Sequence, residues 1–260
     1  MKYVLFLLLT FYMQASFGQD SIYVKLVGKE KLIADRFVGI DNLQNSYYIK
    51  SQTLYKKGQQ ENYQFKTLGL GEITSVDVIN PLKILVFFKE TNSIILLDNK
   101  LNEITRINFN HITNFKTISY AATAINPKLW IYNTDNTQLE LIDYKNLSNT
   151  IAPLPIKDEV IGLTGNYNYC WLLSPKKIIK YNRYGKMLAT TPHNGFEKIH
   201  NNNNKLIAKK EEKLYIQEVA NARFIPINGL ENTCKDFYFT HENLYIYDGN
   251  FLYTYQLTPN

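Results

Sequence analysis

The sequence predicts an all-β chain in which short four-stranded units repeat and close into a ring. Three observations carry this reading. Apolar hairpins recur at a near-constant interval. No helical period appears anywhere. Aromatic residues are abundant, with 20 Tyr and 14 Phe against 12 Gly and 8 Pro in 260 residues. Aromatic and β-branched side chains favour strands because they fit a pleated, half-buried surface. With 45% hydrophobic and 20% charged residues, the composition is globular and can bury a sizeable core. Length alone permits one large domain or two ordinary ones.

The first segment reads as an address. Met1-Lys2 is a short basic start, and Tyr3 to Met13 is an uncharged, mostly apolar run of eleven residues. Ala15, Ser16 and Gly18 are small residues ahead of polar Gln19-Asp20. This is the pattern of a secretory signal peptide. It is assigned to residues 1–18, which leaves 19–260 as one domain. The apolar run is short of the ~20 residues a membrane helix needs, and no cysteine follows it to take a lipid anchor. The expected product is exported, periplasmic or extracellular, soluble or peripherally attached to an envelope complex, with no transmembrane span.

The formal net charge of +6 falls to +5 once Lys2 is removed. The densest charged groups, Lys29-Glu30-Lys31 and Lys209-Lys210-Glu211-Glu212-Lys213, mix signs. Nucleic-acid binding calls for a stripe of one sign with interleaved aromatics, so no nucleic-acid partner is expected.

Two segments announce the repeat. Ile84 to Phe88 turns through polar residues into Ser93 to Asp98, and Leu129 to Tyr132 turns through Thr134-Asp135-Asn136 into Gln138 to Asp143. Each is an apolar strand, a polar turn, and a second strand ending in Asp. Four weaker copies follow the same plan: Tyr47–Lys56, Tyr169–Tyr181, Lys205–Ile216 and Asn243–Tyr255. Asp248-Gly249, in the last copy, is the strongest hairpin signal in the chain. The copies begin near residues 47, 83, 128, 169, 205 and 243, at spacings of 36, 45, 41, 36 and 38. Such intervals approach the period of four-stranded propeller blades. There is room for a strand on either side of each hairpin, as with Ile73–Val78 before the second copy and Ile104–Phe109 after it.

The ends of the chain supply the closure. The last copy has a preceding strand, Asp236 to Thr240, and a hairpin, but little sequence follows to Asn260. Ser21–Val27 alternates as a strand ahead of the first copy. Joined to the C-terminal blade, it completes that blade and leaves no unpaired partner at the seam. The prediction is a six-bladed β-propeller with four-stranded blades, closed by the N-terminal strand. The competing arrangement is a β-sandwich or irregular all-β domain.

The chain thus resembles single-domain six-bladed β-propellers of the NHL-like and quinoprotein-like type, over roughly Ser21 to Pro259. The resemblance is architectural. The Gly-His and Trp-Asp signatures of WD40 repeats are absent, as are the paired glycines of kelch repeats and the tryptophan docking motifs of pyrroloquinoline-quinone enzymes. The bias toward Asn, Lys, Ile and Tyr, with the Phe17-Gly18-Gln19 junction, resembles exported envelope propellers of Bacteroidota.

Chemistry-bearing motifs are sparse. His111, His193, His200 and His241 form no metal-ligand pair, and no GxSxG elbow, P-loop or GxGxxG occurs. No catalytic residue and no cofactor are expected. The resemblance to propeller hydrolases implies one alternative, a Ca²⁺ in the central channel held by Asp41, Asp77, Asn166 and His241. Gly69-Leu70-Gly71 and Gly162-Leu163-Thr164-Gly165 read as turns between blades. Cys170 and Cys234 fall in non-adjacent blades, too far apart for a bridge, and are expected to be buried free thiols. Tyr47, Tyr48, Trp130, Tyr132, Trp171, Tyr245 and Tyr247 are expected mainly to pack between blades. Asn201–Asn204 reads as an exposed inter-strand loop.

The functional expectation is a non-catalytic protein-interaction or scaffold propeller of the bacterial cell envelope. An accessory subunit of an outer-membrane assembly or protein-secretion complex is one such role, implied by analogy alone. Its partners would be envelope or outer-membrane proteins, met by one ring face at Glu90, Asn92, Asp135, Asn136, Lys176, Asp248 and Asn250. The alternatives are a metal-dependent hydrolase or lyase with a Ca²⁺-binding channel, and a carbohydrate-binding propeller.

Overall fold

Apolar runs broken every five or six residues by Asn, Asp, Gly and Ser leave the chain no length for helices. The computed structural model describes residues 22–151, 154–218 and 222–258, and no helix occurs among them. The expected signal peptide and Ser21 lie outside the described residues. No described helix is long and apolar enough to cross a membrane.

The chain enters on a long strand, β1 (Ile22–Lys31), and then winds through five successive four-stranded units. The first is β2 (Arg36–Ile40), β3 (Ser46–Lys50), β4 (Thr53–Lys57) and β5 (Asn62–Phe65). The second is β6 (Ser75–Asp77), β7 (Ile84–Phe88), β8 (Ser93–Leu97) and β9 (Glu103–Asn108). The third is β10 (Ile118–Thr123), β11 (Lys128–Asn133), β12 (Gln138–Asp143) and β13 (Asn149–Ile151). The fourth is β14 (Gly162–Gly165), β15 (Tyr169–Leu173), β16 (Lys177–Asn182) and β17 (Met187–Pro192). The fifth is β18 (Lys198–Asn202), β19 (Lys205–Lys210), β20 (Lys213–Gln217) and β21 (Phe224–Asn228). The sixth takes β22 (Asp236–Phe239), β23 (Asn243–Tyr247) and β24 (Phe251–Thr258) from the C-terminal end. Its fourth strand is β1, antiparallel to β24 from Tyr23↔Thr258 to Lys31↔Phe251.

The chain is therefore a β-propeller, and the N-terminal strand closes it as its sequence predicts. β1 also touches β21 in parallel at Ile22↔Ile227 and Tyr23↔Asn228, which joins the fifth and sixth units into one eight-stranded sheet. Gly229 lies at this join with φ +87°, and a Cβ there would stand 2.9 Å from the Val24 carbonyl oxygen. Only glycine accepts both the left-handed backbone and that approach.

The core lies between blades. Separate buried clusters join the second blade to the third, the third to the fourth, the fourth to the fifth and the fifth to the sixth, and a larger one spans the sixth, first and second. The aromatic residues of the second strands do pack there. Tyr47, Trp130, Tyr132, Trp171, Tyr245 and Tyr247 are buried, and Tyr48 is half-buried, stacked on Tyr55 at 5.2 Å. Cys170 and Cys234 are buried free thiols in different clusters.

One turn assignment is corrected. Gly162–Gly165 is β14, the innermost strand of the fourth blade. A Cβ on Gly165 would lie 2.8 Å from the Trp130 ring and 3.2 Å from Ala122 Cβ. Inner strands converge on the axis, so a glycine here marks crowding between blades and not a turn. Gly69 and Gly71 do sit in an inter-blade link.

Candidate functional site

Six inner strands facing one axis leave a channel. Arg36–Val38, Ser75–Asp77, Tyr120–Ala122, Leu163–Gly165, Lys198–His200 and Asp236–Tyr238 line a cavity of about 280 Å³, so every blade contributes to its wall. At the end where the inner strands begin, Lys198 Nζ lies 3.1 Å from Asp236 Oδ1, and the Phe37 amide donates to Asp236 Oδ2 at 3.1 Å. Arg36 Nη1 donates to the Thr74 carbonyl at 2.9 Å. Burial lowers the Arg36 guanidinium from its ordinary value, against attraction from Asp236 and Glu72.

Deeper in the channel, Asp77 accepts the Ile79 amide on Oδ1 at 3.0 Å and the Thr123 amide on Oδ2 at 2.8 Å. Burial raises its carboxyl above the ordinary value despite those bonds. His200 packs on Tyr238 with ring centroids 4.3 Å apart and the rings tilted by 40°, and its Nε2 lies 3.3 Å from the Phe239 carbonyl oxygen. Burial depresses its pKa from 6.5 to about 4, with repulsion from Lys198 adding to the effect. Burial likewise raises the Tyr238 phenol, as do Asp77 and Asp41. The wall thus keeps its histidine neutral and its tyrosine protonated at neutral pH.

The inner strands end at a wider mouth, about 470 Å³, formed by the turns that follow β2, β6, β14, β18 and β22. Three of the four residues considered as Ca²⁺ ligands, Asp41, Asn166 and His241, meet at this mouth, while Asp77 lies in the channel wall. Their polar atoms are largely engaged. Asp41 accepts the Leu43 and Asn45 amides, the Asn45 side chain and the Tyr47 hydroxyl, which donates at 2.8 Å. Asn166 Oδ1 accepts the Asn168 and Tyr169 amides. Among the described residues, no three His, Cys, Asp or Glu side chains are grouped so as to hold a metal.

The residues assigned to partner binding all lie at the opposite end, in the turns between second and third strands. Glu90 and Asn92 follow β7, Asp135 and Asn136 follow β11, Lys176 follows β15, and Asp248 and Asn250 follow β23. Glu90, Asp135, Asn136, Lys176 and Asn250 are exposed. Asn92 is buried and works inside the fold. It donates to Asn110 Oδ1 at 2.9 Å and to the Lys116 carbonyl at 2.6 Å, and accepts the Ile118 amide at 2.9 Å. Asp248 shapes its own turn by accepting the Asn250 and Phe251 amides and the Tyr253 hydroxyl. Burial raises the Asp248 carboxyl, but these bonds outweigh it and leave the group below its ordinary value.

Sequence reasoning does not anticipate the channel residues Arg36, Lys198, His200 and Asp236, because blade position is encoded by strand order and no motif marks it. Nor is Asn201–Asn204 simply an exposed loop. Asn201 is buried on β18 and donates to Thr164 Oγ1 at 2.7 Å and the Gly165 carbonyl at 2.9 Å, while Asn203 and Asn204 turn at the mouth.

No family model matches the chain, and no curated protein matches it. Solved structures of propellers do resemble it. The Pan2 WD40 domain of Neurospora crassa shares 8% identity at a TM-score of 0.59, covering 87% of this chain and 75% of that one. Virginiamycin B lyase from Staphylococcus aureus shares 11% identity at a TM-score of 0.60, covering 90% of this chain and all of that one. A chain of the Mitotic Checkpoint Complex shares 8% identity at a TM-score of 0.61, covering 91% and 95%. These likenesses establish the propeller fold. A fold of this breadth hosts enzymes and interaction modules alike.

Proposed function

We propose that this chain is an exported, non-catalytic interaction propeller of the bacterial cell envelope, docking a partner protein on the face that carries the turns between second and third strands. Accessory membership of an outer-membrane assembly or protein-secretion complex is the form of that role the sequence suggests. One observation carries the reading. The links that lead into β2, β6, β10 and β14 open onto this same face, and each holds a large apolar side chain in solvent. These are Ile33 at 62% exposure, Leu68 at 87%, Phe115 at 58% and Leu154 at 86%. Single exposed apolar residues are ordinary, but one on each of four consecutive links of one face suits a partner surface. The exposed polar side chains Glu90, Asp135, Asn136 and Lys176 share that face and supply a polar rim.

The test is a crosslinked pull-down from envelope extracts with the wild-type chain and a Leu68→Asp, Leu154→Asp double variant. A stoichiometric partner held by the wild type and lost by the variant is the expected result. Failure of the wild type to hold any partner, or equal capture by both chains, overturns the reading. Both substitutions are at exposed positions, so the melting temperature should change little.

A further inference from the structure

The mouth at the other end of the ring supports a separate inference. The turns after β2 and β14, with the end of β18 and its turn, place eight Asn or Gln side chains around it, the turn after β22 adds His241 and Glu242, and no Lys or Arg joins them. An amide side chain offers two donors and an acceptor without charge. A sugar hydroxyl is also donor and acceptor at once, so a ring of fixed amides matches a neutral polyhydroxyl ligand. A phosphate or sulfate would find no Lys or Arg here.

Part of the amide set is held in place by the fold. Asn166 Nδ2 donates to Asn201 Oδ1 at 3.2 Å and Asn204 Oδ1 at 3.4 Å, tying the fourth blade to the fifth. Asn203 and Asn204 adopt φ of +46° and +68°, a left-handed turn that asparagine tolerates well. Beside this locked set, the side chains of Asn42, Asn202 and Asn203 make no hydrogen bond within the described residues, and so remain open to a ligand. The rim adds an exposed aromatic ring, Tyr167, which provides an apolar face for the C–H side of a sugar. Cavities of a few hundred Å³ suit small ligands, and this one is open to solvent along the axis. Of the two carboxylates that line it, Asp41 is occupied by its own turn and Glu242 stands exposed to solvent, and no third acidic side chain joins them.

We propose that this mouth binds a neutral oligosaccharide, gripped by Asn42, Asn202 and Asn203 and stacked on Tyr167. The site lies on the face opposite the proposed partner surface, so the two readings stand or fall separately.

Isothermal titration of the full mature chain, in EDTA, against neutral malto-, cello-, chito- and manno-oligosaccharides tests it. At least one should bind with a dissociation constant of about 1 mM or tighter. Asn202→Ala and Tyr167→Ala should each weaken that binding by about tenfold, Tyr167→Phe should hold it within about twofold, and Leu68→Asp should leave it unchanged. The absence of binding to any of the four series overturns the proposal. So does binding that survives both alanine substitutions, or binding that appears only when Ca²⁺ is added back. Thermal melts of each variant separate loss of binding from loss of fold.

Discussion

The second blade and the sixth are built on the same plan from different stretches of chain, and they are held together differently. The second is one continuous segment whose central strands, Ile84–Phe88 and Ser93–Leu97, are buried at every position. Side-chain burial fixes these strands between the neighbouring blades, as it does β22 and β23 of the sixth. The sixth joins the two ends of the described chain, and its outer strand is mostly exposed along its length. β1 is held by the backbone ladder to β24, by the short parallel contact with β21, and by Ile22 and Val24, which pack against the cluster shared by the fifth and sixth blades. At the axis, the same fifth-to-sixth boundary is fastened by Lys198 on Asp236 and by His200 on Tyr238. Both blades bury their central strands, and the sixth differs in taking its outer strand from the other end of the described chain.

The largest effect should therefore come from removing β1. Truncation through Lys31 strips β24 of its outer partner over its whole ladder and leaves an open edge at the seam. The expected product is aggregated or lacks a cooperative transition, because the lost ladder rivals the total stability of a domain, about 5–15 kcal/mol. A truncated chain that still melts cooperatively near the full-length temperature would show that closure matters little. The second blade is broken differently. Phe87 is fully buried in the cluster with Phe109, Ile118 and Ile131. Phe87→Ala should cost about 3–5 kcal/mol by lost burial and the cavity left behind, read from denaturant titration, while leaving a folded ring.

Much of this architecture is legible in the sequence, since the hairpins announce themselves by apolar runs and polar turns. Tyr47, Trp130 and Tyr247 read as blade packing from composition and spacing alone. The channel does not read so easily. Inner strands are short, carry polar residues such as Asp77 and Lys198, and include Gly162–Gly165, so their local pattern resembles that of turns. Asn92 misleads for a related reason. It stands in a polar turn, where a side chain is expected in solvent, but its amide satisfies three backbone and side-chain groups of the link to the third blade. Which polar turn residue faces inward depends on the neighbouring blade, and that information is not local.

The inner fastening of the seam can be tested by pH. His200 has its pKa lowered to about 4 by burial. Above pH 6.5 it is neutral in both folded and unfolded chains and makes no difference to stability. As pH falls from 6.5 toward 4, the unfolded chain takes up the proton first, so stability drains away. The loss reaches about 3 kcal/mol, because each tenfold difference in proton affinity between the two states is worth about 1.36 kcal/mol. Asp77 acts in the opposite sense. Its raised carboxyl penalises folding when ionised, and that penalty lifts as the group is protonated in acid. His200→Gln keeps a neutral side chain and removes only the first effect. Its stability, followed by denaturation at pH 7, 5.5 and 4.5, should fall less toward acid than that of the wild type. Parallel pH curves for the two chains would mean that the ring of His200 titrates in the fold as it does in water.

The smallest effect is the one that most sharpens the contrast. Leu26 on β1 and Ile104 on β9 lie on the outer strands of the sixth and second blades, Leu26 paired with Tyr255 and Ile104 at a register shift, and both are about half exposed, at 47% and 49%. If Leu26 lies outside the apolar contact that Ile22 and Val24 make, Leu26→Ser should change stability by no more than about 0.5 kcal/mol, and Ile104→Ser by a similar amount. The two outer strands would then be alike at their surfaces, although one is continuous with its blade and the other is supplied from the far end of the chain. A cost above about 1 kcal/mol for Leu26→Ser alone would add Leu26 to the apolar contact at the seam, because exposed surface substitutions away from such contacts stay within about 0.5 kcal/mol. The outward-facing side of β1 would then have to be counted, with Ile22 and Val24, among the apolar contacts that hold the seam.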